Sequence, residues 1–514
     1  MEQATHLGYK APSPIRKDYG IGAIGAGFIM RDVHLVAYRR AGYRVAAITA
    51  QDVDAAREVA TLRGIGKVYD TCAGLIADPA VQVLDIAVPP HCQPAIIEQA
   101  VRDRKDLRGI LAQKPLALNL ADARKVVEVC EGAGIPLAVN QNMRYDQSIR
   151  ALKTLLAAGD LGEPVLATIE MRAIPHWQTW LREYGRLTLL NMSIHHLDCF
   201  RFLFGNPDSV YVSVRTDPRT AFPHRDGIAL YILEYNNGFR ASAWDDVWSG
   251  PCREGAAPDI YIRWRVEGTE GLAEGTIGWP GYPNAVPSTI RYSTRKQGYW
   301  IEPHWDEAWF PDAFAGPMGE LFDSITEGRE PSIGGRDNLH TMALIDACYR
   351  SIDLHRPVDP REVEEECFGN AAPLTGGFAR AGFGTRATFR NGKRRKRDGT
   401  KGKARIRVDV VLARGGDVVL FGRAVLLRPG ASVRGRDAGI APPVGPAGNR
   451  ADAAARSAHH SEVRWNGRGA SRRRGHERFG LGESRSGRAI DSIAREAGGA
   501  APSLPDVGGD ARGT

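Results

Sequence analysis

From residue 19 to about residue 140, short apolar runs alternate with stretches whose apolar positions recur every three to four residues. That alternation is the pattern of a parallel sheet covered on both faces by helices. The apolar runs predict strands over 20–24, 44–49, 83–88, 109–112 and 136–139. Helices fit between them: one opening near Phe28, one after Asp52 as its N-cap, one after Pro90, and one after Asn119 with Asp122 in its first turn. Beyond 140 the rhythm changes, and a helix over 146–158 leads through Gly159 and Gly162 into a strand over 165–171. Runs at 209–215, 227–235, 239–244, 261–267 and 272–277 are alternating or β-branched and separated by Asn-Gly, Gly-Thr and Pro turns, which predicts an antiparallel sheet. Helical stretches at 316–327 and 337–355 then close the folded unit near Glu366. The expected class is α/β followed by α+β: a doubly wound parallel sheet over 19–144, a mixed or antiparallel open-faced sheet with helices over 145–366, and a tail over 367–514.

Composition changes this picture mainly at the tail. The chain has 514 residues, 43% of them hydrophobic, enough for two or three ordinary domains with large cores. No apolar stretch approaches the roughly 18 to 20 residues of a membrane span, and residues 1–19 are polar without a secretory apolar region, so a cytoplasmic protein is expected. Seven widely spaced cysteines, never as CxxC, argue for reduced thiols rather than a disulfide frame or a zinc site. The formal charge of +8 divides into about −9 before Phe368 and about +17 from there on. The overall basicity therefore says nothing of the body, and the Arg-, Gly- and Pro-rich tail is expected to be mostly disordered. Its runs 393–397 and 472–474 offer RNA or DNA only a salt-dependent attachment by charge. Without an aromatic stacking pattern or a folded RNA module, a passive extension, such as a shifted reading of GC-rich DNA produces, is the better account, and nucleic acid is not expected as a partner.

The candidate chemistry begins at Gly22-Ala23-Ile24-Gly25-Ala26-Gly27-Phe28-Ile29-Met30, which ends a strand and opens a helix. Gly25 suits the tight turn, Gly27 lets a pyrophosphate approach the backbone, and Phe28 and Ile29 open the positive end of the helix. Met30 stands where a third glycine is usual. At the end of the second strand, Ala50 occupies the place of the carboxylate that binds a ribose 2′-hydroxyl, and Gln51 brings no positive charge for a 2′-phosphate. NAD is therefore favoured weakly over NADP. Asp52 beside them is the expected N-cap of the next helix rather than a ribose ligand. Pro89 and His91 close the third strand and border the nicotinamide ribose, with His91 read as a cofactor-edge or surface residue rather than a catalyst.

Lys114 is the most informative residue. In Gln113-Lys114-Pro115, directly after a strand, it delivers an ammonium at the carboxyl edge of the sheet, where open α/β folds bind ligands. Further on, Asn191, His195 and Asp198 stand at i, i+4 and i+7, on one face of a helix. A core histidine satisfied by Asp198 would explain that pair alone; with Lys114 present, catalysis by His195 is the preferred reading. His196 points about 100° away, and His195, His196 and Asp198 have poor spacing for one coordination sphere, so no metal is expected. His176, Trp177 and Trp180 precede this helix and suit either stacking on a sugar or domain packing.

Together these residues resemble the Gfo/Idh/MocA family, the glucose-fructose oxidoreductase and inositol dehydrogenase superfamily, from about Tyr19 to about Val363. Gln113-Lys114-Pro115 resembles its Glu-Lys-Pro motif, Asn140 to Tyr145 its Asn-x-Arg-Tyr/Phe segment, and Asn191 to Asp198 its Asp-x-x-x-His-x-x-Asp helix. Segments 314–320 and 335–339 match its closing helices. Gln113 and Asn191 depart from the family's acids. The resemblance implies an N-terminal Rossmann domain, a substrate-binding and oligomerisation domain after it, and an NAD(P)-dependent dehydrogenase acting on a hydroxyl of a monosaccharide or related polyol. It implies that His195 takes the hydroxyl proton, Lys114 stabilises the oxygen, Asn191 orients His195 or the substrate, and Tyr145 and Trp177 line the pocket. It also implies a homo-oligomer through the open face of the C-terminal sheet. The alternatives are a non-catalytic NAD(P)-binding regulator and a member using tightly held NAD for internal redox or lyase chemistry.

Overall fold

The computed structural model describes residues 7–172, 179–220, 222–247, 260–278 and 286–369. The chain divides into two units, Met1–Arg394 and Arg395–Thr514, and every described residue belongs to the first. The predicted disorder of the tail, and its basic runs, lie outside the described residues.

The first sheet is parallel throughout. Its strands β1 (Ile21–Ile24), β2 (Val45–Thr49), β3 (Val83–Ile86), β4 (Gly109–Ala112) and β5 (Leu137–Val139) stand in the order β2-β1-β3-β4-β5. Strand order reverses between β1 and β3, so the crevice beyond their carboxyl ends is the topological switch point at which such sheets bind ligands. The β1 and β3 strands are buried at every position, which is why each reads as a short continuous apolar run. Several helix starts are set by local capping. The Asp52 carboxylate accepts the Asp54 and Ala55 amides, each at 3.1 Å, and Asn119 accepts the Asp122 amide at 2.9 Å.

Two features here differ from the expectation. The β3 strand stops at Ile86 rather than residue 88, just ahead of Pro89 and Pro90, which have no N–H to donate to a ladder. The helix near Phe28 opens as a π turn, Ile29–His34, before continuing as the α-helix Leu35–Ala41.

The second sheet has seven strands: β6 (Pro164–Arg172), β7 (Ser209–Arg215), β8 (Ile228–Glu234), β9 (Arg240–Asp246), β10 (Tyr261–Gly268), β11 (Gly271–Thr276) and β12 (Thr289–Thr294). Their order is β12-β11-β10-β6-β9-β8-β7, and every pair is antiparallel except β6 with β9. The sheet is therefore mixed. The parallel pair joins strands far apart in sequence, which local turn signals cannot register. The strand β12 and the short helices Cys72–Ala77 and Pro360–Phe368 also lay outside the predicted elements. The last of these runs past Glu366: Arg124 donates to the Cys367 carbonyl at 2.8 Å and its guanidinium lies 4.8 Å from the centre of the Phe368 ring. A shortened chain should accordingly end after Gly369.

One face of the second sheet is packed and the other open. In β8, Ala229, Tyr231 and Leu233 are buried while Leu230 and Ile232 are exposed. The long helix Gly335–Leu354 packs on β7 and also touches the helices Leu120–Gly132 and Ile194–Phe204. It ties both sheets into one hydrophobic core.

Candidate active site

The glycine turn after β1 is shaped for a close backbone approach. Gly25 has φ +114°, a conformation that favours glycine, and a Cβ there would meet the Ala87 carbonyl oxygen at 2.4 Å. Gly27 is exposed, and a Cβ on it would meet nothing within 4 Å. Phe28 and Ile29 follow at the start of the π turn, and Phe28 lies 6.4 Å, ring to ring, from Phe310. At the end of β2, Ala50 is half-buried and Gln51 exposed, while Asp52 is engaged as an N-cap. Pro89 is half-buried. His91 is exposed, and its Nδ1 lies 2.5 Å from the Tyr184 hydroxyl, which links the loop after β3 to the segment that precedes the His195 helix.

Lys114 follows β4 in a turn held on its main chain by Gln93. The Gln93 amide donates to the carbonyls of Gln113 at 2.9 Å and Pro115 at 2.8 Å, and its oxygen accepts the Gln113 N–H at 2.7 Å. The Lys114 ammonium crosses to the other half of the unit and donates to the main-chain carbonyl of Asn191 at 2.5 Å. Burial pushes this group down to about 7. The sequence suggested that position 191 acts through its side chain; the structure adds a role for its backbone. Asn191 lies in a π turn, Leu189–Ser193, that opens into the helix Ile194–Phe204. Such wider turns displace carbonyls from the regular ladder and recur at functional sites.

His195 sits one turn beyond Asn191 and is 5% exposed. Its ring meets the Trp309 indole edge to face, with centroids 5.3 Å apart and planes at 89°. The indole donates in turn to Asn142 Oδ1 at 2.8 Å. Burial, then the positive charge of Lys114 and then His196 hold the His195 imidazole well below its usual pKa. Its Nδ1 has no hydrogen-bond partner among the described residues. His196 turns the other way: its Nδ1 lies 2.9 Å from Asp245 on β9, which also accepts from Ser193 and Tyr231.

The alternative in which Asp198 satisfies the His195 ring is not seen among the contacts of Asp198. Arg144 binds that carboxylate with two hydrogen bonds of 2.6 and 2.7 Å, and Thr341 donates to it at 2.7 Å. The π turn changes the register of the helix start, so ideal 100° spacing does not carry over to residues 191–195. Tyr145 is only 8% exposed and packs where a Cβ on Gly316 would meet its ring at 2.3 Å. Trp177 and His176 lie outside the described residues; Trp180 lies 5.5 Å from the Tyr184 ring. Gln93, Tyr184 and Trp309 were not singled out by the sequence. Only the aromatic density of Trp305 to Phe314 carried a signal for any of them.

Residues 19–141 match the family model described as the NAD-binding Rossmann fold of an oxidoreductase family, and residues 153–359 match that family's C-terminal alpha/beta domain. The chain belongs to the Gfo/Idh/MocA oxidoreductase family. Among Gfo/Idh/MocA relatives, a D-apiose dehydrogenase of Rhizobium rhizogenes is 30% identical over 324 residues, 62% of this chain and 90% of that protein. An inositol 2-dehydrogenase of Gluconacetobacter diazotrophicus is 29% identical over 357 residues, 67% of this chain and 96% of that protein. The crystal structure of an Agrobacterium radiobacter oxidoreductase in complex with NAD+, L-tartaric acid and magnesium aligns with a TM-score of 0.57 at 25% identity, covering 67% of this chain and 99% of that one. The resemblance read from the motifs, and the class of fold, are thereby shown. As a Gfo/Idh/MocA oxidoreductase the chain carries an NAD-binding domain, and its glycine turn fits that cofactor: Gly25 makes the turn and the open space over Gly27 leaves the backbone accessible to a pyrophosphate.

Proposed function

We propose that the protein is an NAD-dependent dehydrogenase that oxidises a hydroxyl-bearing carbon of a monosaccharide or related polyol. The observation that carries this reading is the bond from Lys114, at the edge of the cofactor-binding sheet, to the Asn191 carbonyl one turn before His195. Gly25, Gly27, Phe28 and Ile29 hold the pyrophosphate, Ala50 and Gln51 border the adenosine ribose, and Pro89 and His91 border the other ribose. When bound, the nicotinamide accepts hydride from the carbon that carries the hydroxyl. Lys114 and His195 then act as a unit. The hydroxyl proton passes to the pair through His195, and Lys114 stabilises the oxygen as negative charge develops on it. Because each positive charge disfavours the other, the two groups take up protons one at a time, and the apparent pKa belongs to the pair. Asn191 orients the pair, and Tyr145 lines the substrate pocket.

The direct test mixes the protein with NAD or NADP and a panel of aldoses and cyclitols and follows the absorbance of the reduced nicotinamide. Turnover with at least one sugar or cyclitol, and a kcat/KM for NAD at least about tenfold that for NADP, is expected, because position 51 offers no cation to a 2′-phosphate. Tight cofactor binding without hydride transfer to any of them would instead favour the regulator.

The second sheet supports a homo-oligomer. Tyr211 on β7 stands opposite Ile232 on β8, Leu230 stands opposite Trp244 on β9, and Tyr211, Leu230 and Ile232 are all exposed. The far half of that face is charged, with Arg263, Arg265 and Arg291 beside Glu170 and Glu274 around a cavity of ≈ 490 Å³. Apolar exposure of this kind, rimmed by charge, marks an association surface. Leu230→Glu is expected to shift the protein to a smaller species in analytical ultracentrifugation, and an unchanged sedimentation profile would place the interface elsewhere. Among the described residues no helix is long and apolar enough to cross a membrane. Six described cysteines are free thiols, which supports a cytoplasmic location.

A further inference from the structure

Behind the Lys114 turn lies a buried polar chain that the proposed chemistry does not use. His34, the last residue of the first π turn, is 1% exposed, and its Nδ1 lies 2.7 Å from Oδ2 of the fully buried Asp85 on β3. The Tyr38 hydroxyl donates to the same oxygen at 2.7 Å. An oxygen already accepting one proton from Tyr38 takes a second from the imidazole, so Nδ1 carries the hydrogen and Nε2 is left as an acceptor. Two amides face that nitrogen, Asn140 Nδ2 at 2.9 Å and Gln113 Nε2 at 3.3 Å. The orientation of the Gln113 amide is settled independently, because its Oε1 accepts the Lys114 N–H at 2.9 Å and only the oxygen can do so. Its NH2 must then face the imidazole, as the tautomer set by Asp85 requires.

We propose that His34 is a positioning residue for Lys114: Asp85 fixes its Nδ1–H tautomer, and its bare Nε2 holds the Gln113 amide, which holds the main chain of Lys114. Position 113 is thereby matched to a neutral imidazole. A glutamate there presents an acceptor to an acceptor, and the contact is restored only when His34 takes a second proton and lies between two carboxylates. Asp85 from β3 and Tyr38 from the following helix are the titratable groups that contact the imidazole, while Gln113, Asn140 and the Phe314 ring are its neutral neighbours. Gln93 grips the other side of the same turn without touching His34.

The proposal rests on the catalytic reading of Lys114, but its first test needs no turnover. In the full chain labelled with 15N-histidine, the ring resonances of His34, assigned by their loss in His34→Gln, should report the neutral Nδ1–H tautomer at about pH 7.5. In Gln113→Glu they should report an imidazolium. The 13Cε resonance of Lys114 should then titrate about one unit higher in Gln113→Glu, a tenfold gain in proton affinity. Its kcat should fall by about tenfold or more with KM for NAD within about twofold, as expected of a group displaced in the transition state rather than in cofactor binding. An Nε2–H tautomer in the wild-type protein overturns the proposal without any variant, and so do an unmoved Lys114 titration and a pH profile parallel to the wild type. If the wild-type protein oxidises no sugar or polyol, the functional reading fails while the two resonances still decide the wiring.

Discussion

Lys114→Met is expected to lower kcat/KM for alcohol oxidation by roughly 10³-fold while NAD binding stays within about threefold. The side chain keeps most of its length and apolar bulk and loses its charge and its donors. What disappears is the bond to the Asn191 carbonyl and the positive end of the Lys114–His195 pair. The wild-type pH dependence identifies the same pair. Burial places Lys114 at about 7, and burial with the Lys114 charge holds His195 lower still. His195 is held neutral and can take the hydroxyl proton, whereas above about 7 Lys114 loses the charge that stabilises the oxygen, so kcat/KM for oxidation should fall by about tenfold per unit as pH rises above about 7. The reductive direction needs the same ammonium and a proton besides, so it should fall at least as steeply with rising pH. A Lys114→Met enzyme that retains more than a tenth of wild-type activity, or one whose profile keeps the limb near 7, would remove Lys114 from the chemistry.

Arg144→Leu is expected to cost about 3–5 kcal/mol of folding stability, because it strips buried Asp198 of its bidentate cation and Asp337 of one of its two. Arg144 is almost wholly enclosed, donates to both oxygens of Asp198 and reaches Asp337 at 2.6 Å; Arg201 holds the other Asp337 oxygen at 2.9 Å. This cluster pins the turn Asn142–Tyr145 to the His195 helix and to the helix Gly335–Leu354. Urea unfolding measures the loss, and a shift below about 1 kcal/mol would mean that the carboxylates find water or other partners. The cluster also sets an acid limit. Burial alone would raise the Asp337 carboxyl, but Arg201 and Arg144 outweigh it and hold the group well below the usual carboxylate range. Its contribution is present above the ordinary unfolded value near 4 and is lost as pH falls below that, so the wild-type protein should lose stability on acidification more steeply than Asp337→Asn.

Much of the cofactor-binding half is legible because its signals are local. The β4 strand, residues 109–112, falls at the predicted bounds, since a buried parallel strand is a short apolar run ended by a polar turn. Asp52 and Asn119 read as caps because capping spans only two or three residues. The site divides along the same line. Lys114 stands out through its neighbours in the chain, whereas Gln93 grips a turn twenty residues away and Trp309 meets a histidine more than a hundred residues away. Asp198 shows the cost of reasoning from one helix alone. Periodicity put it on the face of His195, but a guanidinium from another segment claims its carboxylate.

The amino-acid order by itself determined the βαβ rhythm, the glycine turn, the placement of Lys114 at a strand end and the family likeness, because each depends on residues within a few positions of one another. Tertiary structure alone decided the parallel pairing of β6 with β9, the two π turns, the partners of Asp198 and the burial that brings Lys114 near neutrality. Those depend on which distant segments displace water around a given group, and no run of neighbouring residues encodes that.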